Sequence, residues 1–256
     1  MEKLYLIDIQ GTLIDDKKRE PIKGAVEFID SLNAKKIPYV LITNNTKFAS
    51  EEFKSYLKGL GFKFDDKAYI DPLMCLKSFV ENKSIYAIGN DNFKDALKEQ
   101  GYVFSEKPDF LVISLKENLT YDDMASAVEM IQNGAKLIAM HATAIYAKNG
   151  RKYPGLGAIA KALEFATGVK AKTVGKPSSD FYKKALAMLG AKDKSEVTVI
   201  SDDAIGDLIG AKKMGMKTVL VLSGKYDKKE QILPFLKDDE LPDAVFDSVE
   251  RIKIGA

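Results

Sequence analysis

The sequence predicts an α/β protein, a doubly wound parallel sheet core with a smaller inserted α/β domain. Short apolar runs alternate with amphipathic stretches of about 10 to 15 residues, the pattern of right-handed βαβ units. Three of the runs end in residues able to carry chemistry: Asp8, Thr43-Asn44-Asn45, and Asp202-Asp203. The middle third alternates in the same way but lacks acidic run ends, as expected of an insertion that covers a site without supplying its central chemistry.

In chain order, the expected strands are KLYLIDI, IPYVLITN, SIYAIG, DFLVISL, KLIAM, KAKTV, EVTVIS and KTVLVLS. Apart from the more polar KAKTV, each is a short, largely apolar run, suited to a strand covered on both faces. Between them, GAVEFIDSLNAK, SEEFKSYLKGLG, NFKDALKEQG, YDDMASAVEMIQNG, GAIAKALEFATG and SDFYKKALAMLG carry apolar residues at helical spacing. The division expected from this pattern is a core of residues 1–74 and 175–256 and an insertion of residues 75–174. In open sheets of this kind, ligands bind beyond the carboxyl ends of the strands, so the polar run ends should converge on one crevice.

Composition excludes several classes. Lys and Arg number 39 against 37 Asp and Glu, and a net charge of +2 gives no reason to expect nucleic acid or an anionic membrane as partner. The single cysteine, Cys75 in an apolar context, allows no internal disulfide. His141 is the only histidine, which excludes an HExxH zinc site, and neither a GxSxG elbow nor a GxGxxG loop after a strand is present. No apolar run approaches the roughly 20 residues of a membrane span. Asp8 interrupts an opening apolar stretch already too short for a signal peptide, so a cytoplasmic location is expected.

The remaining residues form a constellation. In DIQGTL, a carboxylate at a strand end is followed by Gly11, which permits a tight turn. Such a carboxylate can act as a nucleophile in phosphoryl transfer or simply cap the turn. ITNNT leaves a hydroxyl and two amides that suit phosphate oxygens, and VGKPSSDF places Lys176 before a helix, where its ammonium could neutralise a phosphoryl group. It is not a Walker A loop, because no glycine stands five residues before Gly175. In ISDDAIGD, Asp202, Asp203 and Asp207 crowd the end of an apolar run. Like-charged carboxylates are costly unless a cation neutralises them, and hard oxygens with room for water are what Mg²⁺ prefers.

Asp8, Thr43, Lys176 and the Asp202/Asp207 pair, in that order, resemble the haloacid dehalogenase superfamily over essentially the whole chain. The long spacing between Thr43 and Lys176 resembles the NagD-like branch (subfamily IIA) with its C2-type α/β cap. GKPSSDF, the ISDDAIGD run and LSGKY look most like the phospholysine phosphohistidine inorganic pyrophosphate phosphatase group. The resemblance implies a Rossmann-like core and a Mg²⁺-dependent phosphatase of small phosphorylated molecules, with Asp8 as nucleophile. It implies that Gly11, Thr43, Asn44 and Lys176 hold the phosphoryl group. It implies that Asp8, the main-chain carbonyl of Gln10 and Asp202 bind the metal, with Asp203 or Asp207 completing the sphere.

At one position the chain departs from this family. The second aspartate of the usual DxD motif, which protonates the leaving group and activates water, is Gln10. Losing a general acid–base typically costs about 10²- to 10⁴-fold in rate. The loss weighs most on alkyl phosphates and least on aryl or acyl phosphates, pyrophosphate or protonated P–N bonds. In the cap, His141, Tyr146, Lys148 and Arg151 are the residues expected to meet the leaving group, and dimerisation through the cap occurs in relatives. Two rivals stay open on sequence alone. One is a degenerate relative that binds a phosphorylated ligand with little turnover, and the other is a phospho-accepting receiver, against which length counts.

Overall fold

The computed structural model describes residues 4–81, 84–148 and 151–254. Along the chain the strands are β1 (Leu4–Asp8), β2 (Tyr39–Ile42), β3 (Tyr69–Ile70), β4 (Ser84–Ile88), β5 (Val103–Phe104), β6 (Phe110–Ile113) and β7 (Lys136–Ala139). They continue as β8 (Ile145–Lys148), β9 (Arg151–Pro154), β10 (Lys172–Thr173), β11 (Val197–Ser201), β12 (Lys217–Val221) and β13 (Ala244–Phe246). The α-helices are α1 (Ala25–Ala34), α2 (Ser50–Gly59), α3 (Pro72–Leu76), α4 (Asp91–Glu99), α5 (Tyr121–Gln132), α6 (Leu156–Thr167), α7 (Ser179–Leu189) and α8 (Ile209–Lys213).

The chain divides into two compact units. The first holds residues 1–43, 54–70 and 179–256, and the second residues 44–53 and 71–178. In the first, six parallel strands run in the order β13-β12-β11-β1-β2-β3. From β1 the chain winds outward through β2 and β3 to one edge, then returns at β11 and winds through β12 and β13 to the other. The reversal falls between β1 and β11, which pair in register from Leu4 with Val197 to Ile7 with Ile200. That is the topological switch point, where doubly wound sheets bind ligands.

Position in the sheet explains sequence. All five residues of β1 and all four of β2 are buried, as central strands covered on both faces must be. The helix α1 buries Ala25, Phe28, Ile29 and Leu32, one stripe at helical spacing, and α7 buries Phe181, Tyr182, Ala185, Leu186 and Leu189.

The second unit repeats the logic with a five-stranded parallel sheet in the order β10-β7-β6-β4-β5 and an antiparallel hairpin, β8 with β9. Thr120 and Asp123 close a reciprocal cap at the start of α5, which satisfies two otherwise orphaned N–H donors. Among the described residues, no helix is long and apolar enough to cross a membrane.

Every run expected to be a strand contains one, but β3, β5, β13 and both hairpin strands were not expected. The strands β3 and β5 are two residues long and β13 three, too short for any periodicity to show. The hairpin did carry a signal, Asn149-Gly150 between two alternating runs.

Candidate active site

The chain leaves β1 at Asp8, which is 4% exposed, and turns at once. Ile9 O accepts from the N–H groups of Leu13 and Ile14 (2.8 and 3.0 Å), and Gly11 N–H donates to Ile14 O at 2.8 Å. Gly11 has φ +75°, and a Cβ there would collide with the Asp202 carboxylate, so both the turn and its neighbour require glycine. The turn delivers Thr12, whose hydroxyl donates to Asp8 Oδ2 (3.4 Å) and accepts from Asp202 N–H (3.1 Å). One fully buried hydroxyl thus ties the end of β1 to the end of β11.

Beyond β11, Ser201 Oγ donates to Asp207 Oδ2 at 2.6 Å and accepts from Asp203 N–H at 3.0 Å. Asp203 Oδ1 accepts from Gly206 N–H at 2.8 Å, capping a π-helical turn over Ala204–Leu208. The hydroxyl of Tyr182, fully buried on α7, donates to the carbonyl of Asp207 at 3.1 Å. Past β12, Ser223 Oγ donates to Gly11 O (2.8 Å) and Lys225 N–H to Asp202 Oδ2 (2.8 Å). The Lys225 ammonium pairs with Asp203 Oδ2. Gly224 is needed for that approach, since a Cβ there would strike the Asp202 carboxylate and lie 2.6 Å from Gly11 Cα.

Burial raises the pKa of Asp202 well above the usual carboxylate value; Asp8 and Asp203 add to the rise and Lys225 opposes it. Burial also raises that of Tyr182, with Asp207, Asp8 and Asp203 adding to it. For Lys225, burial works against the charged form, but Asp203 and Asp202 outweigh it and the pKa is raised.

The shift at Asp202 has a consequence for stability. A carboxyl with a higher pKa folded than unfolded binds more protons in the native state, so its contribution falls as pH rises from about 4 upward through the folded pKa. At neutral pH the group therefore costs the cation-free fold stability. Asp202→Asn should accordingly melt higher than wild type in EDTA at pH 7, with the difference shrinking on acidification. Thermal melts at several pH values check this, and a lower melting temperature at pH 7 would contradict it.

Gln10, just beyond β1, is part-buried, and its Oε1 accepts from the Thr43 hydroxyl at 2.6 Å. Thr43 follows β2 and is fully buried. Asp8, Gln10, Gly11, Thr43, Asp202, Asp203 and Asp207 thus all lie at the carboxyl ends of β1, β2 and β11. Asn44 and Lys176 belong to the second unit. There the Asn44 side chain brackets the Lys176 backbone, its Oδ1 accepting from Lys176 N–H (2.9 Å) and its Nδ2 donating to Lys176 O (3.3 Å). Lys176 itself is 3% exposed.

The cap residues are dispersed. His141 is buried, with Nδ1 accepting from Thr143 N–H at 3.4 Å. Tyr146 stacks on Tyr153 with ring centroids 5.4 Å apart, and both line a largely apolar cavity of about 210 Å³ with Leu115, Leu119 and Ile159. Arg151 lies over the Tyr153 ring, 5.3 Å from its centroid. The Lys148 side chain lies outside the described residues.

Sequence reasoning missed Thr12, Ser201, Ser223, Gly224 and Lys225, which hold the acids in place. Ser201 ends β11 and meets Asp203 and Asp207 locally, whereas Thr12, Ser223, Gly224 and Lys225 read as ordinary turn residues, and only the pairing of β1 with β11 and of β11 with β12 gives them their partners.

The donors at the strand ends suit a hard dication. Asp8 and Asp202 are both nearly buried, and the charge of Asp8 disfavours ionisation of Asp202. Among the described residues, no group of three or more His, Cys, Asp or Glu side chains is set to hold a metal ion. Mg²⁺ does not require one, because it commonly takes one or two carboxylates and keeps its remaining waters.

Comparison with known proteins agrees with this geometry. Residues 5–103 match the haloacid dehalogenase-like hydrolase family, and residues 173–252 match a second, HAD-hydrolase-like family. An acid sugar phosphatase of Staphylococcus aureus (strain USA300) is 32% identical over 228 residues, 87% of each chain. NagD from Escherichia coli K-12 superposes with a TM-score of 0.80 at 26% identity, covering 98% of each chain. A p-nitrophenyl phosphatase from Archaeoglobus fulgidus does so with 0.85 at 25% identity, covering 97% of each chain. A switch point lined with Asp8 and Asp202, family matches at both ends and these full-length likenesses place the chain among the haloacid dehalogenase-like hydrolases, in their NagD-like branch.

Proposed function

We propose that the protein is a phosphatase of small phosphorylated molecules that works through an aspartyl-phosphate on Asp8 and favours substrates with good leaving groups. The observation that carries this reading is the buried Asp8 carboxylate at the switch point, hydrogen-bonded by Thr12 and held beside Asp202. In the first step an Asp8 oxygen attacks phosphorus, the bond to the leaving group breaks, and its electron pair leaves with that group. In the second, water attacks that phosphorus, the bond to the Asp8 oxygen breaks with its electron pair returning to the carboxylate, and the phosphate leaves carrying both protons of the water. Lys176 is the cation that helps hold the phosphoryl oxygens. Asp8, the Gln10 carbonyl and Asp202 are the residues that would hold Mg²⁺, which when bound neutralises charge on the phosphoryl oxygens and the carboxylates.

Gln10 sets the preference among substrates. Its Oε1 is taken up by the Thr43 hydroxyl, which leaves the NH₂ edge as donor toward a leaving oxygen. An amide can hydrogen-bond that oxygen but cannot give it a proton, so the leaving group must depart without protonation by this residue.

The reading is tested by phosphate release with Mg²⁺ from p-nitrophenyl phosphate, acetyl phosphate, pyrophosphate, phosphoramidate and glycerol phosphate. The good leaving groups should exceed glycerol phosphate in kcat/KM by about 10²-fold or more, the share an absent general acid would supply. Equal turnover would overturn the role given to Gln10. No turnover of any, with phosphate analogues still bound, would overturn catalysis itself in favour of a ligand-binding relative.

A further inference from the structure

Lys225 has no part in the phosphoryl steps above, yet it engages two neighbouring acids. Its N–H donates to Asp202 Oδ2 at 2.8 Å and its ammonium pairs with Asp203. The position is built rather than incidental. Gly224 admits the backbone against Asp202, and Ser223 fastens the same segment to Gly11. The Asp203 side chain is mostly covered, at 13% exposed, and that of Lys225 is 31% exposed.

Without Lys225, Asp203 would be a third carboxylate beside Asp8 and Asp202. With it, the charge of Asp203 is matched, and the site presents the two carboxylates that suit a cation retaining most of its water. Cation affinity at oxygen sites rises with the number of charged ligands, and Ca²⁺ uses more of them than Mg²⁺.

We propose that Lys225 is a positioning residue that withholds Asp203 from the cation, so that Mg²⁺ binds weakly, exchanges readily and is not displaced by Ca²⁺. This rests on the Mg²⁺ reading of Asp8 and Asp202 given above. No step of turnover is needed to examine it, because the effect lies in cation binding by the free protein.

The experiment is isothermal titration calorimetry of the full-length, metal-stripped protein with MgCl₂ and with CaCl₂, in the absence of substrate. Lys225→Met should bind Mg²⁺ about five- to tenfold more tightly than wild type, the effect of removing one positive charge several ångströms from a dication in a largely solvated site. Its gain for Ca²⁺ should be larger. Lys225→Arg, which keeps the charge, should stay within about twofold of wild type. Asp203→Asn retains the acceptor for Gly206 N–H but leaves Lys225 unmatched, and should bind Mg²⁺ several-fold more weakly. The double variant Lys225→Met/Asp203→Asn should return toward wild type. A wild type that binds Mg²⁺, with Lys225→Met no tighter, would overturn the role of Lys225 while leaving the site's reading intact. A wild type that binds neither cation would overturn both. Should Lys225→Met fail to fold, unchanged affinity in Asp203→Asn refutes the proposal by itself.

Discussion

Replacing Asp8 with asparagine should abolish phosphate release from p-nitrophenyl phosphate, lowering turnover by at least about 10³-fold, while the fold survives. An amide oxygen is too weak a nucleophile to take up the phosphoryl group, yet asparagine has the same shape and can still accept the Thr12 hydroxyl. The substitution also removes one of the charges that disfavour ionisation of Asp202, so the cation-free variant should melt no lower than wild type. The two readouts together separate chemistry from misfolding. A stable variant that releases phosphate at the wild-type rate would remove Asp8 from the nucleophile's place and with it the aspartyl-phosphate.

What could be read from the sequence follows from how locally each feature is determined. A strand such as LYLID is buried on both faces, so its apolar run is continuous and its end at Asp8 is visible. The same holds for β2 and β11, and these three strands carry Asp8, Gln10, Thr43 and the Asp202 cluster to the same edge of the sheet. The two-residue strands β3 and β5 exist only because a neighbour offers its edge, so they leave no pattern of their own. Clustering three acids in ISDDAIGD pointed to a cation, but the groups that hold Asp202 and the ammonium that pairs with Asp203 lie elsewhere in the chain, while Asp207 is held from within the run. Asp207 is held by Ser201, Asp203 by Lys225, and Asp202 by Thr12 and the Lys225 backbone. Thr12 and Lys225 lie about 190 and 22 residues from the acids they serve, and nothing but the sheet order brings them together.

Changing Gln10 to aspartate should raise kcat/KM for an alkyl phosphate by about 10²- to 10⁴-fold, equivalent to roughly 3 to 5 kcal/mol of barrier. For p-nitrophenyl phosphate the change should be small, since that leaving group departs without a proton. The gain has a local cost. Aspartate is one methylene shorter, so the 2.6 Å bond from the Thr43 hydroxyl to Gln10 Oε1 must lengthen or break. A lost neutral hydrogen bond of this kind is worth about 1 kcal/mol, well below the catalytic gain. The pH profile carries an independent sign. An acid that must be protonated to expel an alkoxide adds a falling alkaline limb to kcat for alkyl phosphates, while p-nitrophenyl phosphate, needing no proton there, should lack it. A gain in rate without that limb would place the effect on the freed Thr43 hydroxyl rather than on proton transfer. No gain on any alkyl phosphate would mean that the leaving group's proton is not what limits turnover.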